Sequence, residues 1–425
     1  MKKALIVTYY WPPAGGSGVQ RWLKFVKYLR DFKVEPVVYT VQNPNYPIID
    51  ESLQNDIPKG IEVLTQPIWE PNDVLNFFGN KKQESAGFLN SNPSFFGKIL
   101  QYIRANYFIP DARKFWIKPS VKFLKKYVNK HKIDTIITTG PPHSVHLIGM
   151  QLKEQLGVKW IADFRDPWTE IDYFHQLPLT KSSQKKHFFL EEKVLKLADA
   201  VVVVGETMKR NFKKFNKNTI TITNGYDSEI SENNINLDAK FTVTHIGLMN
   251  ADRNPKMLWL VLSEIINENE NFKNDFELKL IGKVDNSVMD AVADYKLTKN
   301  VSFINYLSHK EVVEYQKKSQ VLLLVVNNVP SAKGIITGKI FEYLMAKRPI
   351  LAIAPIDGDL NEIIRKTDSG IVVGFDDAKK LKKSVLDFYE AYKKNRLQIS
   401  SKNIAQYHRK ELTKELSKLI YTITE

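Results

Sequence analysis

TIITTGPPHSVHLIGMQLKEQLGVKWIADFRDPW, residues 135–168, reads as strand, helix, strand. The runs TIITT (135–139) and WIADF (160–164) are short, apolar and rich in β-branched or aromatic residues, without polar alternation, as in strands buried on both faces. A helix-length segment joins them. Such strands alternating with helices build βαβ units and a parallel sheet covered by helices on both sides.

The same rhythm extends outward. ALIVT (4–8) and PVVYT (36–40) precede this unit and AVVVVG (200–205) follows it. It then restarts with FTVTHIG (241–247), FELKLIG (276–282), VSFINY (301–306), VLLLVV (321–326) and PILAIA (349–354). Between the two series, residues 223–240 are rich in Asn, Asp, Ser and Glu without apolar periodicity and read as a linker. The pattern predicts two doubly wound α/β domains, 1–230 and 240–400. A lysine-rich helix over 401–425 is expected to pack back on the first. Ligands of such sheets bind beyond the carboxyl ends of the strands, so a cleft between two facing domains is the expected active site. The polar stretch 79–94 reads as an insertion.

A length of 425 residues suits two domains, and 43% hydrophobic with 26% charged residues is an ordinary globular balance. The chain has no cysteine. That excludes disulfides, thiolate zinc sites and cysteine nucleophiles, and fits a reducing compartment, with the cytoplasm as default. The opening MKKALIVTYYWPP has too short an apolar run for a signal peptide, and no stretch approaches the roughly 20 apolar residues of a membrane span. The expectation is a soluble or peripheral protein.

Lysine and arginine number 62 against 47 acids, a net charge of +15. From Lys98 to Lys132 there are ten basic residues and the single acid Asp111, interleaved with Phe95, Phe96, Tyr102, Tyr107, Phe108, Phe115 and Trp116. Such a mixture suits peripheral contact with an anionic membrane through 95–132, or a lipid-linked substrate. Within it, Val121, Leu124 and Val128 share one helical face and Lys122, Lys126 and Lys130 another, which a solvated basic helix would also give. Nucleic acid is not expected as a partner, since no recognition motif accompanies the charge.

Five motifs carry chemistry. After the first strand, PPAGGSGVQR (12–21) places Gly15, Gly16 and Gly18 before a helix. This is either a tight turn or a backbone site for phosphate at a helix N-terminus. Its spacing is not that of a dinucleotide fingerprint. GPPHSVHLIG (140–149) puts His143 at a strand's carboxyl end, while His146 suits packing within the helix. No clustered carboxylates accompany the histidines, so no metal is expected. IADFRDPW (161–168) crowds Asp163, Arg165 and Asp166 together. Asp163 and Arg165 neutralising each other is one reading, and Asp166 is the candidate for an acceptor hydroxyl. After FTVTHIG, Arg253 and Lys256 flank a helix start, where cations oppose the helix dipole unless an anion such as a diphosphate is bound. Finally, TGKIFEYL (337–344) offers Gly338 and Lys339 for phosphate and Glu342 for ribose, or else a surface charge.

Together these blocks resemble family 4 of the glycosyltransferases, a retaining family of GT-B fold. The resemblance rests on the PPxGGxGxQR-like opening, IADFRDPW, LADAVVVVGETM (197–208), ITNGYD (222–227), HIG with Arg253 and Lys256, and GKIFEYLMAKRPILA (338–352). It implies a transferase that moves sugar from a nucleoside-diphosphate sugar to a glycan or lipid-linked glycan with retention and no metal or cofactor. Surface polysaccharide assembly at the inner face of the membrane is the implied setting. Gly15 and Gly16 would approach the donor diphosphate, Arg253 and Lys256 neutralise it, Glu342 bind ribose, and His143 contact the donor sugar. One departure is that the family's first glutamate, eight residues before the second, is Gly334 here. A nucleotide-sugar-binding scaffold without turnover and a GT-B-shaped UDP-sugar epimerase are the competing readings.

Overall fold

The computed structural model describes residues 1–42, 44, 46–70, 95–171, 174–227, 236–397 and 401–425. The expected insertion at 79–94 and part of the linker lie outside the described residues. The chain divides into two compact units, one of residues 1–227 with 408–425 and the other of 228–407.

In the first unit the strands are β1 (Lys2–Val7), β2 (Val34–Gln42), β3 (Glu62–Pro67), β4 (Thr135–Gly140), β5 (Lys159–Phe164), β6 (Ala200–Val203) and β7 (Thr219–Thr221). They form one sheet in the order β3-β2-β1-β4-β5-β6-β7, with every pairing parallel. Its helices are α1 (Ser17–Leu29), α2 (Phe95–Tyr107), α3 (Ile117–His131), α4 (Ser144–Leu156), α5 (Lys181–Leu197) and α6 (Glu206–Phe212). The second unit has β8 (Phe241–Ile246), β9 (Phe276–Ile281), β10 (Val301–Ile304), β11 (Val321–Val325), β12 (Ile350–Ile353) and β13 (Gly370–Val373), again wholly parallel, in the order β10-β9-β8-β11-β12-β13. Helices α7 (Lys256–Glu268), α8 (Glu270–Asp275), α9 (Asn286–Asp294), α10 (His309–Lys318), α11 (Lys339–Ala346), α12 (Asp359–Thr367) and α13 (Ala378–Lys393) belong to it, and α14 (Arg409–Thr422) closes the chain.

Both sheets start in the middle and grow outward in two directions. The reversal falls between β1 and β4 in the first sheet and between β8 and β11 in the second. At such a reversal the following loops part to opposite faces and leave a crevice at the carboxyl ends of the strands.

Helix faces follow the sequence period. Val19, Trp22, Leu23 and Val26 of α1 are buried, as are Val121, Leu124 and Val128 of α3, which leaves the α3 lysines outward. Each unit has its own apolar cluster. Helix α14 belongs to the first: Leu412, Leu416, Leu419 and Ile420 join that core against α1. Residues 223–227, placed in the linker by composition, are held in the first unit. Arg21 donates to the carbonyls of Ile222 and Thr223, and Asp227 is bound by Lys24, Lys27 and Tyr28.

Candidate functional site

In the second unit, β8 delivers His245 and ends at Gly247, whose φ of 109° lies where a side chain is strained. A Cβ there would stand 2.7 Å from Cε and 2.8 Å from Nζ of Lys339. Glycine thus lets the lysine chain lie across the strand end. Lys339 is the first residue of α11, capped by Gly338, and its Nζ stands 3.5 Å from Nε2 of the fully buried His245. The other ring nitrogen, Nδ1, faces the Leu323 carbonyl at 3.1 Å and so carries the proton. Burial, then Lys339 and Arg253, hold the His245 pKa well below its usual value, and the ring stays neutral.

Lys339 itself is pushed down to about 7 by burial and then by Arg253, against a smaller opposing pull from Glu342. Arg253 sits in the turn Ala251–Arg253 and donates to the Leu248 carbonyl at 2.8 Å. Lys256, by contrast, is exposed at the start of α7. The cations brought together are therefore Arg253 and Lys339, rather than the sequence neighbours Arg253 and Lys256. Glu342, one turn into α11, is exposed and accepts from Gln316 Nε2 at 3.1 Å. The loops after β8 and β11 also hold three buried oxygens without a hydrogen-bond partner, Asn250 Oδ1, Asn327 Oδ1 and Ser331 Oγ. Buried polar atoms left open at a crevice are groups that water or a ligand can complete.

In the first unit the crevice lies between the loops after β1 and β4. The three glycines of the β1 loop do different work. A side chain at Gly15 would meet Ile48 Cγ2 at 2.7 Å, so this glycine serves packing. Gly16 has φ 94°, open space beside it, and caps α1. At Gly18 a Cβ would fall 2.0 Å from Arg165 Nη1, so the guanidinium lies against the first turn of α1. That turn contains no acid. A cation at a helix N-terminus is unfavourable unless an anion joins them, and Asp166, whose carboxylate is 3.5 Å from Arg165 Nε, compensates in part. The half-exposed Asp166 side chain is free to reach solvent.

Asp163 does not pair with Arg165. It takes a two-point ion pair from buried Arg21 at 2.8 and 3.2 Å, with Trp22 Nε1 and Thr139 Oγ1 donating to it as well. Burial alone would raise its pKa, but Arg21 and these donors hold it below the usual value. Its role is to lock α1 to β5.

His143 caps α4, is buried, and stacks on Trp168 with ring centroids 4.9 Å apart and planes 3° from parallel. Its Nδ1 has no partner, and burial followed by His146 and Arg165 keeps the ring neutral. His146 lies on the buried side of α4, shares a hydrogen bond with Thr138 Oγ1 at 2.9 Å through Nδ1 and packs on Phe164. Trp168 is fixed from behind by α5. Its Nε1 donates to His187 Nδ1 at 3.0 Å, and its amide, with that of Thr169, donates to Glu191. His187, Glu191, Arg21 and the buried oxygens were not singled out in the sequence, since nothing local marks a partner that folding brings from 19 to 142 residues away. Among the described residues no cluster of three or more His, Cys, Asp or Glu side chains is arranged to hold a metal ion.

Residues 240–391 match the model of the family described as Glycosyl transferases group 1. No curated protein matches the chain. Among solved structures, a sucrose-phosphate synthase of Thermosynechococcus elongatus is similar over 100% of this chain and 99% of its own, with 16% identity and a TM-score of 0.63. The Anabaena protein HepE, solved in complex with UDP, is similar over 99% and 100%, with 12% identity and a TM-score of 0.62. The lipopolysaccharide outer core galactosyltransferase WaaB, in its apo form, is similar over 99% of both chains, with 11% identity and a TM-score of 0.61. The fold, two Rossmann-like α/β domains with a helical tail, is GT-B.

Proposed function

We propose that this protein is a glycosyltransferase that moves a sugar from a nucleoside-diphosphate sugar to an acceptor hydroxyl, with retention and without a metal. The observation that carries the reading is the pair Lys339 and Arg253 beside neutral His245 at the sheet reversal of the second unit. Among the described residues no carboxylate stands within ion-pair distance of Lys339. A diphosphate supplies the missing charge, and the family match covers this same unit. Glu342 suits the ribose hydroxyls.

In the reaction the acceptor oxygen bonds to the anomeric carbon as the bond from that carbon to the phosphate oxygen breaks. The nucleoside diphosphate leaves with the electron pair. Lys339 and Arg253 stabilise the charge that develops on it, the role usually given to a cation or fixed dipole at a leaving group. Among the described residues of the two sites no carboxylate pair is set for double displacement, so attack on the same face as departure, with the acceptor proton passing to the leaving phosphate, fits retention. Gly16 and the start of α1 approach the phosphates, neutral His143 contacts the donor sugar, and Asp166 orients the acceptor hydroxyl. The acceptor we infer is a glycan or lipid-linked glycan in surface polysaccharide assembly, handled at the inner face of the membrane. The basic aromatic stretch 95–132 motivates that choice.

The test is thermal shift and calorimetry against UDP-, GDP-, ADP- and dTDP-sugars with EDTA present. One donor should raise the melting temperature, and Arg253→Ala and Lys339→Ala should each abolish the shift while staying folded. Wild-type affinity in both folded variants would remove the phosphate assignment.

A further inference from the structure

Helix α2 buries none of its residues. Phe95, Phe96, Ile99, Leu100, Ile103 and Tyr107 recur at helical spacing along one side, and Phe95 and Phe96 are 75% and 77% exposed. An apolar helical face left in water is a large unfavourable term unless something covers it.

This face does not stand alone. Asn106 ties the end of α2 to the start of α5, donating to the Pro178 carbonyl and accepting from the Thr180 amide, both at 2.8 Å. There Phe188 and Phe189 are exposed as well, the latter by 64%. Lys114 donates to the Tyr107 carbonyl, lies 5.1 Å over the Phe108 ring and 5.0 Å over Phe115, and Phe115 meets exposed Trp69 edge to face at 4.8 Å. Burial and nearby Lys186 of α5 lower the Lys114 pKa.

The charge around the patch is of one sign. Lys98, Arg104, Lys181, Lys185 and Lys186 are exposed, and neither 95–107 nor 181–190 contains an acid. Among the described residues the nearby carboxylates are already engaged, Asp111 by the amides of Arg113 and Ser144 and the buried Glu70, next to Trp69, by Arg113 and Tyr9. A second copy is a poor occupant, because a two-fold interface sets each patch against itself and would oppose lysine to lysine. An anionic bilayer meets both demands, taking the aromatic side chains into the headgroup boundary and the cations onto phosphate. The lysines of α3 are a separate feature, directed outward from a face that is already packed in the core.

We propose that α2, the start of α5 and the Trp69–Phe115 pair form one docking surface for an anionic lipid bilayer. No described helix is long and apolar enough to cross a membrane, so the contact is peripheral. It deepens the membrane setting proposed above for the acceptor, and its failure would leave the nucleotide site untouched.

Flotation of the full chain with vesicles tests it. The protein should float with phosphatidylcholine vesicles containing phosphatidylglycerol at low salt, stay behind with phosphatidylcholine alone, and be released as salt rises. Replacing Lys98, Lys185 and Lys186 by Gln should weaken binding about fivefold per cation. Phe95→Ser with Phe96→Ser and Ile99→Ser should abolish flotation with an unchanged melting temperature, since none of the three is buried. Absence of flotation with anionic vesicles would overturn the proposal, and so would flotation that both variant sets leave intact. Self-association without lipid that the serine set abolishes, with no flotation, would reassign the face to a second copy.

Discussion

Lys339 holds its charge against both burial and Arg253, and this fixes how the nucleotide site should respond to pH. Its folded pKa is about 7, against an ordinary 10.5. Between those values the unfolded chain binds more protons than the folded one, so stability without ligand rises with pH across that window. Below about pH 7 both states are charged and the folded state bears the full cost. Lys339→Met should therefore raise the melting temperature near neutral pH by roughly 2–4 °C, taking about 1 kcal/mol in a domain of this size, and the gain should shrink toward pH 10. The same substitution should abolish nucleotide binding. A bound diphosphate raises the lysine pKa, so at pH 8 binding takes up a proton and affinity falls as pH rises further. Titration calorimetry in buffers of different ionisation heat reads this directly; a binding heat independent of buffer would remove Lys339 from the diphosphate site. At this scale the sequence was partly legible. Arg253, Lys256, Lys339 and Glu342 all stood out as charges at helix starts, but which two meet depends on Gly247 leaving room for a chain 92 residues on, and linear spacing does not carry that.

Among elements, the strands found in the sequence and those missed differ in one respect. Most central strands are near-continuous apolar runs, as expected of a parallel sheet covered on both faces, and β9 (FELKLI), which alternates with half-buried Glu277 and Lys279, is the exception. The strands outside the runs read above are β3, β7 and β13, and all three lie at sheet edges; β13 (GIVV) is apolar but only four residues long. β3 alternates exposed and half-buried residues and β7 has only three, as edges that avoid pairing with other chains tend to. The loop after β5 was visible as IADFRDPW, yet its anchor on α5 was not. Glu191 accepts from the Trp168 and Thr169 amides and from the Thr169 hydroxyl. Glu191→Ala would leave these donors unpaired at about 1–3 kcal/mol for each group that stays dry. Hydrogen exchange at the Trp168 and Thr169 amides should then accelerate, and turnover should fall more than donor affinity, because the loop carries Asp166 and the stacking partner of His143 but none of the diphosphate cations. Protection unchanged from wild type would show that the loop is held by its apolar contacts instead.

For the whole molecule, two cores and one returning helix set how the chain can be divided. His245, Gly247, Arg253, Gln316, Lys339 and Glu342 all lie in the second unit, which is continuous from 228 to 407 and has its own apolar cluster. A fragment of 228–407 should therefore fold alone and bind a nucleoside diphosphate, with the loss of affinity reporting only what the first unit adds. The first unit is not continuous. Leu412, Leu416, Leu419 and Ile420 are buried in its core, and Arg409, itself buried, donates its amide to the Tyr226 carbonyl. Uncovering four such side chains, at about 1.5–3 kcal/mol each, approaches the whole stability of an ordinary domain. Residues 1–227 alone should consequently be unfolded or molten, and a peptide of 408–425 added in trans should restore a cooperative melting transition. Circular dichroism of the two fragments, separately and mixed, decides this. A 1–227 fragment that melts cooperatively without the peptide would mean that α14 decorates a core already complete; recovery only on adding the peptide would make the last helix a structural part of the first domain.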